Sequence, residues 1–280
     1  MSEWTRVGFC IFGCLISQWA QAHKPLSASD GAAFHGLVHQ ANQEKTMAIP
    51  PVASGTPAVN LLKHALAHGH GILQLGGFWS KQGQSQQVNI NGLIGDYFNV
   101  TKSQSGNFLL GLGYLKDGKD IKRAKMQYGL NWFYLSPTSV KGTVLQEASF
   151  TNLAYSYHLT HYPLYAIAKS TFQTRFPDKE VTLDVGIGPN FMTTSQFKET
   201  SLGANTLQDG IFSGTTTTTL SATAGISLKC GHFVGPTQAE LGYRFFYLGQ
   251  GHFNPSNNQI LNKLTTGAAF ANALVFTLSI

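Results

Sequence analysis

From about Gly71 to Ile280, large apolar residues recur at every second position, and the runs break at polar, turn-forming clusters such as "KDGKD", "RFPDKE" and "FNPSNNQ". "ILQLGGFWS" sets Leu73, Leu75 and Trp79 against Gln74, Gly76 and Ser80. "NFLLGLGYL" sets Phe108, Leu110, Leu112 and Tyr114 against Gly111 and Gly113, and "MQYGLNWFY" sets Tyr128, Leu130, Trp132 and Tyr134 against Gly129 and Asn131. "FTNLAYSYHL" places Leu153, Tyr155, Tyr157 and Leu159 on one side, with Ser156 and His158 on the other. "EVTLDVGIG", "TLSATAGISLK", "ELGYRFFYL" and the final "ANALVFTLSI" repeat the pattern. Two further segments, 86–100 and 163–174, are β-like but less regular, and Gly92 or Gly95 is a candidate bulge. Together these predict about ten strands, with eight as the alternative, each near the length of a tilted membrane-crossing strand.

Alternation alone does not say what the apolar side meets, because a soluble sandwich alternates too. The opposite side decides. It is mostly Gly, Ser, Thr and Asn, where a soluble sheet would carry many Lys, Asp and Glu. Charged residues are only 11% of the chain and Gly contributes 30 of 280 residues, against roughly 25% and 7% in ordinary soluble domains. Small polar groups suit the interior of a narrow closed barrel. The bulky side carries Trp79, Tyr114, Trp132, Tyr134, Tyr155, Tyr157, Tyr243 and Tyr247, as an interfacial aromatic belt would. Strands in lipid must pair all their backbone groups, so they close. The expected fold is therefore all-β, a closed antiparallel transmembrane barrel over 71–280. A chain that finishes on an alternating strand fits, since that strand closes the ring against the first.

The first 70 residues read differently. "MSEWTRVGFCIFGCLISQWAQA" has Arg6, an apolar run from Val7 and a small-residue cleavage pattern at Ala20-Gln21-Ala22, the features of a signal peptide spanning 1–22. Residues 23–70 predict a short helical N-terminal extension, with a Pro-rich linker and a helix capped at Thr56 and Pro57. Cys10 and Cys14 leave with the signal, so Cys230 stands alone and forms no internal disulfide.

"GYRFFYLGQG" (242–251), "LLGLGY" (109–114) and the alternating last strand resemble the small outer-membrane β-barrels of Gram-negative bacteria, the opacity/OmpA-like superfamily. The resemblance covers 71–280. It implies export to the bacterial outer membrane, contact with its lipid and lipopolysaccharide, and insertion by the barrel-assembly machinery. That family's last strand usually ends on an aromatic residue; this chain ends on Ile280, with Phe276 four positions earlier.

Within that frame the inward charges Asp184, Lys229, Glu240 and Arg244, with Lys169, are expected to form a lumen charge network, either filling the barrel or gating a narrow path. "KDGKDIKRAK" (116–125) concentrates Lys116, Lys119, Lys122, Arg123 and Lys125 in a basic loop suited to lipopolysaccharide phosphates or an acidic host surface. It lacks aromatics, which argues against nucleic acid. His35/His39 and His64/His68 have one-face helical spacing, but without Cys or abundant acidic partners they read as solvated faces, and no metal or cofactor is expected. Ser156 and His158 share a strand face, expected to point inward, with His161 and His232 near strand ends; no serine carries a nucleophile motif. The chain therefore reads as a non-enzymatic outer-membrane protein, structural or adhesin-like through the loops 117–125, 196–213 and 251–266. A narrow ion or small-solute channel is the alternative, and a lipid-modifying or proteolytic enzyme the third reading.

Overall fold

The computed structural model describes residues 69–280, apart from 122–123, 175–179, 204–207, 209 and 235–236. The signal peptide, the helices predicted before residue 69, His35, His39, His64, His68, Lys122 and Arg123 lie outside the described residues.

The strands are β1 (Gly69–Lys81), β2 (Gln86–Val88), β3 (Asp96–Lys102), β4 (Gln104–Asp117), β5 (Ala124–Gln146), β6 (Phe150–Gln173), β7 (Glu180–Ser201), β8 (Phe212–Ser213), β9 (Thr216–Val234), β10 (Thr237–His252), β11 (Asn254–Pro255) and β12 (Thr265–Ser279). Eight of them form an up-and-down antiparallel ring, β1-β4-β5-β6-β7-β9-β10-β12, closed by β12 on β1. At the seam Leu75 lies opposite Phe276, and Gly71 and Ile280 exchange backbone hydrogen bonds of 3.1 and 2.9 Å. Closure leaves the ring itself no edge to pair with another chain.

The ring therefore has eight strands, not about ten, for two reasons. Segments 150–159 and 163–174 are one continuous strand, β6, which runs through Pro163 without turning. Segment 86–100 is the β2–β3 hairpin, which stands outside the ring and pairs with the far half of β5, Tyr97 opposite Leu145. The barrel also begins two residues early, since Gly69 and His70 already pair with Lys116 and Leu115.

Sidedness changes along the barrel. In the half nearer Gly69 and Ile280, Leu112, Leu130, Val185, Ile187, Leu228, Leu241 and Leu274 face outward and are exposed, while Gln74, Asn131, Thr182, Asp184, Glu240 and Thr277 are buried inside. This is the apolar belt and polar lumen of a barrel in lipid. Around the belt's far margin runs a chain of aromatic contacts: Phe108 with Tyr134 at 6.1 Å, Tyr134 with Tyr162 at 5.4 Å, and Tyr247 with Phe270 at 5.5 Å.

Beyond that margin the pattern inverts. Leu153, Tyr155, Tyr157 and Leu159, expected outward, are buried inside the barrel. β6 keeps one parity throughout, its odd positions facing in, and it is its apolar residues that change position; on its two neighbours a bulge carries the inversion. At 135–138 three residues of β5 span two of β6 (Leu135↔His161, Thr138↔Leu159), and at 195–198 three of β7 span two of β6 (His158↔Ser195, Ser156↔Lys198). Each extra residue moves the following side chains to the opposite face. Gln196 takes up a φ of 51° at the second bulge. The far zone thus has an apolar interior and a polar outer wall, as a body standing in water needs. Phe98 meets Tyr155 at 5.2 Å and Phe212 at 5.8 Å, and Tyr157 meets Phe253 at 4.9 Å.

Candidate functional site: the barrel interior

At the end that carries Gly69 and Ile280 the lumen opens into a vestibule of about 620 Å³, lined by residues including His70, Asp117, Lys125, Lys229, Gln238 and Glu240. Its floor is a charged layer. Lys169 Nζ lies 2.7 Å from both carboxylate oxygens of Glu240, and Arg244 Nη2 lies 2.7 Å from Asp184 Oδ1. That second contact is a charge contact; its angles are not those of a hydrogen bond. The Arg244 guanidinium also sits 5.2 Å from the centre of the Phe133 ring, close enough for cation–π attraction.

Register explains how these groups meet. Lys169, Asp184, Gly225 and Arg244 stand in one row across β6, β7, β9 and β10. Between the last two charges the row needs a residue without a side chain. A Cβ on Gly225 would lie 2.7 Å from Asp184 Oδ2, so glycine is what admits the carboxylate. Glu240 is opposite Lys229 in the β9–β10 ladder, yet it reaches across the lumen to Lys169, while Lys229 pairs with Glu180 at 2.7 Å near the rim. All five charges predicted for the lumen thus belong to three ion pairs, with Glu180 as the added partner.

The layer is completed by neutral groups. Asn131 donates to Gln74 at 2.7 Å and Gln74 donates to Thr277 at 3.2 Å. The cavity left among these residues and the two inner ion pairs is about 10 Å³, room for one water at most. Above it Phe133, Tyr165 and Phe246 fill the section, with Phe133 and Phe246 at 5.2 Å. Next comes a second polar layer: Gln82 donates to Thr138 at 2.6 Å, His161 contacts Gln82 at 3.3 Å and Asn190 at 3.1 Å, and Asn190 donates to the Leu248 carbonyl at 2.7 Å. With Gln82 Oε1 accepting from one ring nitrogen and Asn190 donating to the other, a neutral His161 is satisfied on both sides. The apolar far-zone core follows directly.

Other predicted residues fall elsewhere. Ser156 and His158 point outward, because the odd positions of β6 face in; the inward Ser/His pair is corrected. His252 contacts Thr217 at 3.4 Å and Lys263 at 3.1 Å, and burial followed by the Lys263 charge lowers its pKa. Among the described residues no cluster of three or more His, Cys, Asp or Glu could hold a metal ion. The turn holding Lys119, with Lys116 and Lys125 on its flanking strands, lies at the end shared with Gly69 and Ile280; it is not grouped with 202–215 and 253–264, which connect strands at the opposite end. Alternation puts Gln74 and Asn131 on the polar side, yet nothing in the sequence marks them, or Gln82, Asn190 and Gly225, as site residues, since neutral groups signal a shared layer only once register is known.

No protein-family profile and no curated protein matches the chain. Solved structures do resemble it. The outer membrane protein OprG from Pseudomonas aeruginosa is 11% identical at a TM-score of 0.40, over 76% of this chain and 97% of that one. Ail, the attachment invasion locus protein of Yersinia pestis, solved with the heparin analogue sucrose octasulfate, is 11% identical at 0.32, over 76% and 99%. The outer membrane protease OmpT from Escherichia coli is 9% identical at 0.36, over 75% and 94%. At such identity and score these are likenesses of barrel architecture. The chain's own closed ring, lipid-facing belt and polar lower lumen are the construction of an outer-membrane β-barrel.

Proposed function

We propose that this is a non-enzymatic integral protein of the bacterial outer membrane, exported by its N-terminal signal and inserted by the barrel-assembly machinery, that presents its far end for surface interaction. One observation carries this: the interior is filled in successive layers from Glu240 to the far-zone core, and the strands continue past the lipid belt as a solid, apolar-cored tower. A conduit has no use for such filling, whereas a rigid platform does. In barrels of this kind short turns face the periplasm and long connections the exterior. That orientation puts the turn holding Lys119 on the periplasmic side and leaves the β2–β3 hairpin and the short strands β8 and β11 outermost.

The vestibule ending on Glu240 favours a second reading, a narrow channel gated by Lys169, Asp184, Lys229, Glu240 and Arg244. Planar-bilayer recording separates the two. The platform reading expects no stable unitary steps from the refolded mature chain. Steps whose amplitude changes in Glu240→Gln or Arg244→Gln would establish the channel instead. Turnover of lipid or peptide by the refolded chain, lost on changing His158, would establish an enzyme.

A further inference from the structure

We propose that the outer wall of the far zone holds the phosphorylated headgroup of an outer-leaflet glycolipid on a row of three lysines, Lys102, Lys141 and Lys198. The inference rests on the outer-membrane reading and names the lipid-contact surface that the basic turn, at the other end, does not supply.

The row follows from register. Lys102 on β3 is directly opposite Lys141 on β5, Lys141 is opposite Ser156 on β6, and Ser156 is opposite Lys198 on β7. All three lysines are exposed on the outer face. Strand spacing of about 4.8 Å puts Lys102 beside Lys141 and Lys198 roughly 10 Å from Lys141. The rows on either side carry no carboxylate: Asn99, Thr143, Ala154 and Thr200 lie toward the tip, and Ser139, His158 and Ser195 toward the belt. The nearby acids are turned elsewhere. Glu199 is buried and accepts from the Gly210 amide, and Glu147 accepts from the amides of Ile94 and Gly95.

Like charges directly across a ladder are destabilising, and among the described residues nothing on the wall offsets Lys102 against Lys141. An anion held between them would. Height selects which anion. Lys141 stands seven residues past Tyr134, and Lys102 six before Phe108, in the aromatic margin of the belt. At about 3.3 Å per residue and the usual tilt this is roughly 15 Å beyond the margin. The wall there stands above the interfacial layer, at the height of the outer sugars of a glycolipid, so the partner is the phosphorylated saccharide of the lipid beside the barrel, its phosphates bridging neighbouring lysines. Soluble polyanions, which would approach from the tip, are the competing partner.

The test uses the refolded mature chain in detergent, titrated with a lipopolysaccharide whose core sugars are phosphorylated and with the same lipid after removal of those phosphates. The wild type and the Lys102→Gln/Lys141→Gln/Lys198→Gln variant are first compared for heat-modifiable gel migration. Its absence in the wild type would refute the barrel reading itself, a separate result from loss of lipid discrimination in a folded variant. We expect the wild type to prefer the phosphorylated lipid and each lysine removed to weaken that preference about fivefold, with the effect shrinking in high salt. Equal discrimination by wild type and variant overturns the proposal. So does lysine-dependent binding of a soluble sulfated polysaccharide with no preference between the two lipids.

Discussion

Lys169 on β6 and Glu240 on β10 meet across the lumen at 2.7 Å, although two strands, β7 and β9, separate them around the ring. Both side chains are buried, at 8% and 3% exposure. An ion pair so enclosed holds opposite walls together, and each charge depends on the other. Lys169→Ala leaves Glu240 buried with the Thr182 hydroxyl donating to it at 3.4 Å, and is expected to destabilise the barrel by about 3–5 kcal/mol. The double change Lys169→Met/Glu240→Leu should recover most of that loss. Urea unfolding in vesicles, followed by tryptophan fluorescence, measures both; equal stability of Lys169→Ala and wild type would show that the pair contributes nothing.

Gly225 offers a sharper probe, because it acts through space alone. Gly225→Val puts carbon where the Asp184 carboxylate now lies. Overpacking of this kind is expected to cost about 1–3 kcal/mol and to force Asp184 away from Arg244. Combining it with Asp184→Ala should give less than the sum of the two single effects, as for any pair in contact.

Trp79 and Trp132 report the sidedness of the lower zone. Both face outward in the belt, at 49% and 36% exposure. In vesicles carrying brominated acyl chains, each remaining tryptophan of the single Trp→Phe variants should be strongly quenched. A tryptophan placed at Tyr157, inside the far zone, should not be. Quenching in the reverse order would invert the assignment of faces.

The far zone has its own pH dependence. Burial raises the phenol pKa of Tyr155 and of Tyr157, and for Tyr157 the neighbouring Tyr155 adds to the shift. An unfolded phenol titrates near about 10. Above that pH the unfolded chain sheds protons that the folded far zone retains, so stability is full below pH ~10 and falls as pH rises beyond it. Limited proteolysis should therefore cut the far zone increasingly above pH ~10, and Tyr155→Phe/Tyr157→Phe should blunt the increase.

Much of this architecture was legible in residues. The alternation of Leu73, Leu75 and Trp79 against Gln74 and Ser80 placed β1 correctly, and the closing strand was readable from Leu274, Phe276 and Leu278. The charges of the lumen were legible too, since Asp184, Glu240 and Arg244 stood out among Gly, Ser and Thr. β6 shows where reading stopped. Its apolar set lies on odd positions from Leu153 to Leu159 and on even ones from Tyr162 to Phe172, with Pro163 between. That shift looked like two strands. It is one strand of constant parity that passes from water into lipid, so its greasy side turns from in to out.

What the amino-acid sequence determined by itself was which side chains share a face, because a strand's period of two depends only on local covalent geometry. It also determined that the strands close, since their outward apolar groups and unpaired backbone could not face lipid otherwise. The number of strands in the ring, the medium that each face meets, and the partner that each lumen charge takes were decided by tertiary structure. Those outcomes depend on register and on bulges such as those of β5 and β7, where one extra residue reverses every face beyond it. Lys169 and Glu240 lie 71 positions apart, and only the closed ring brings them together.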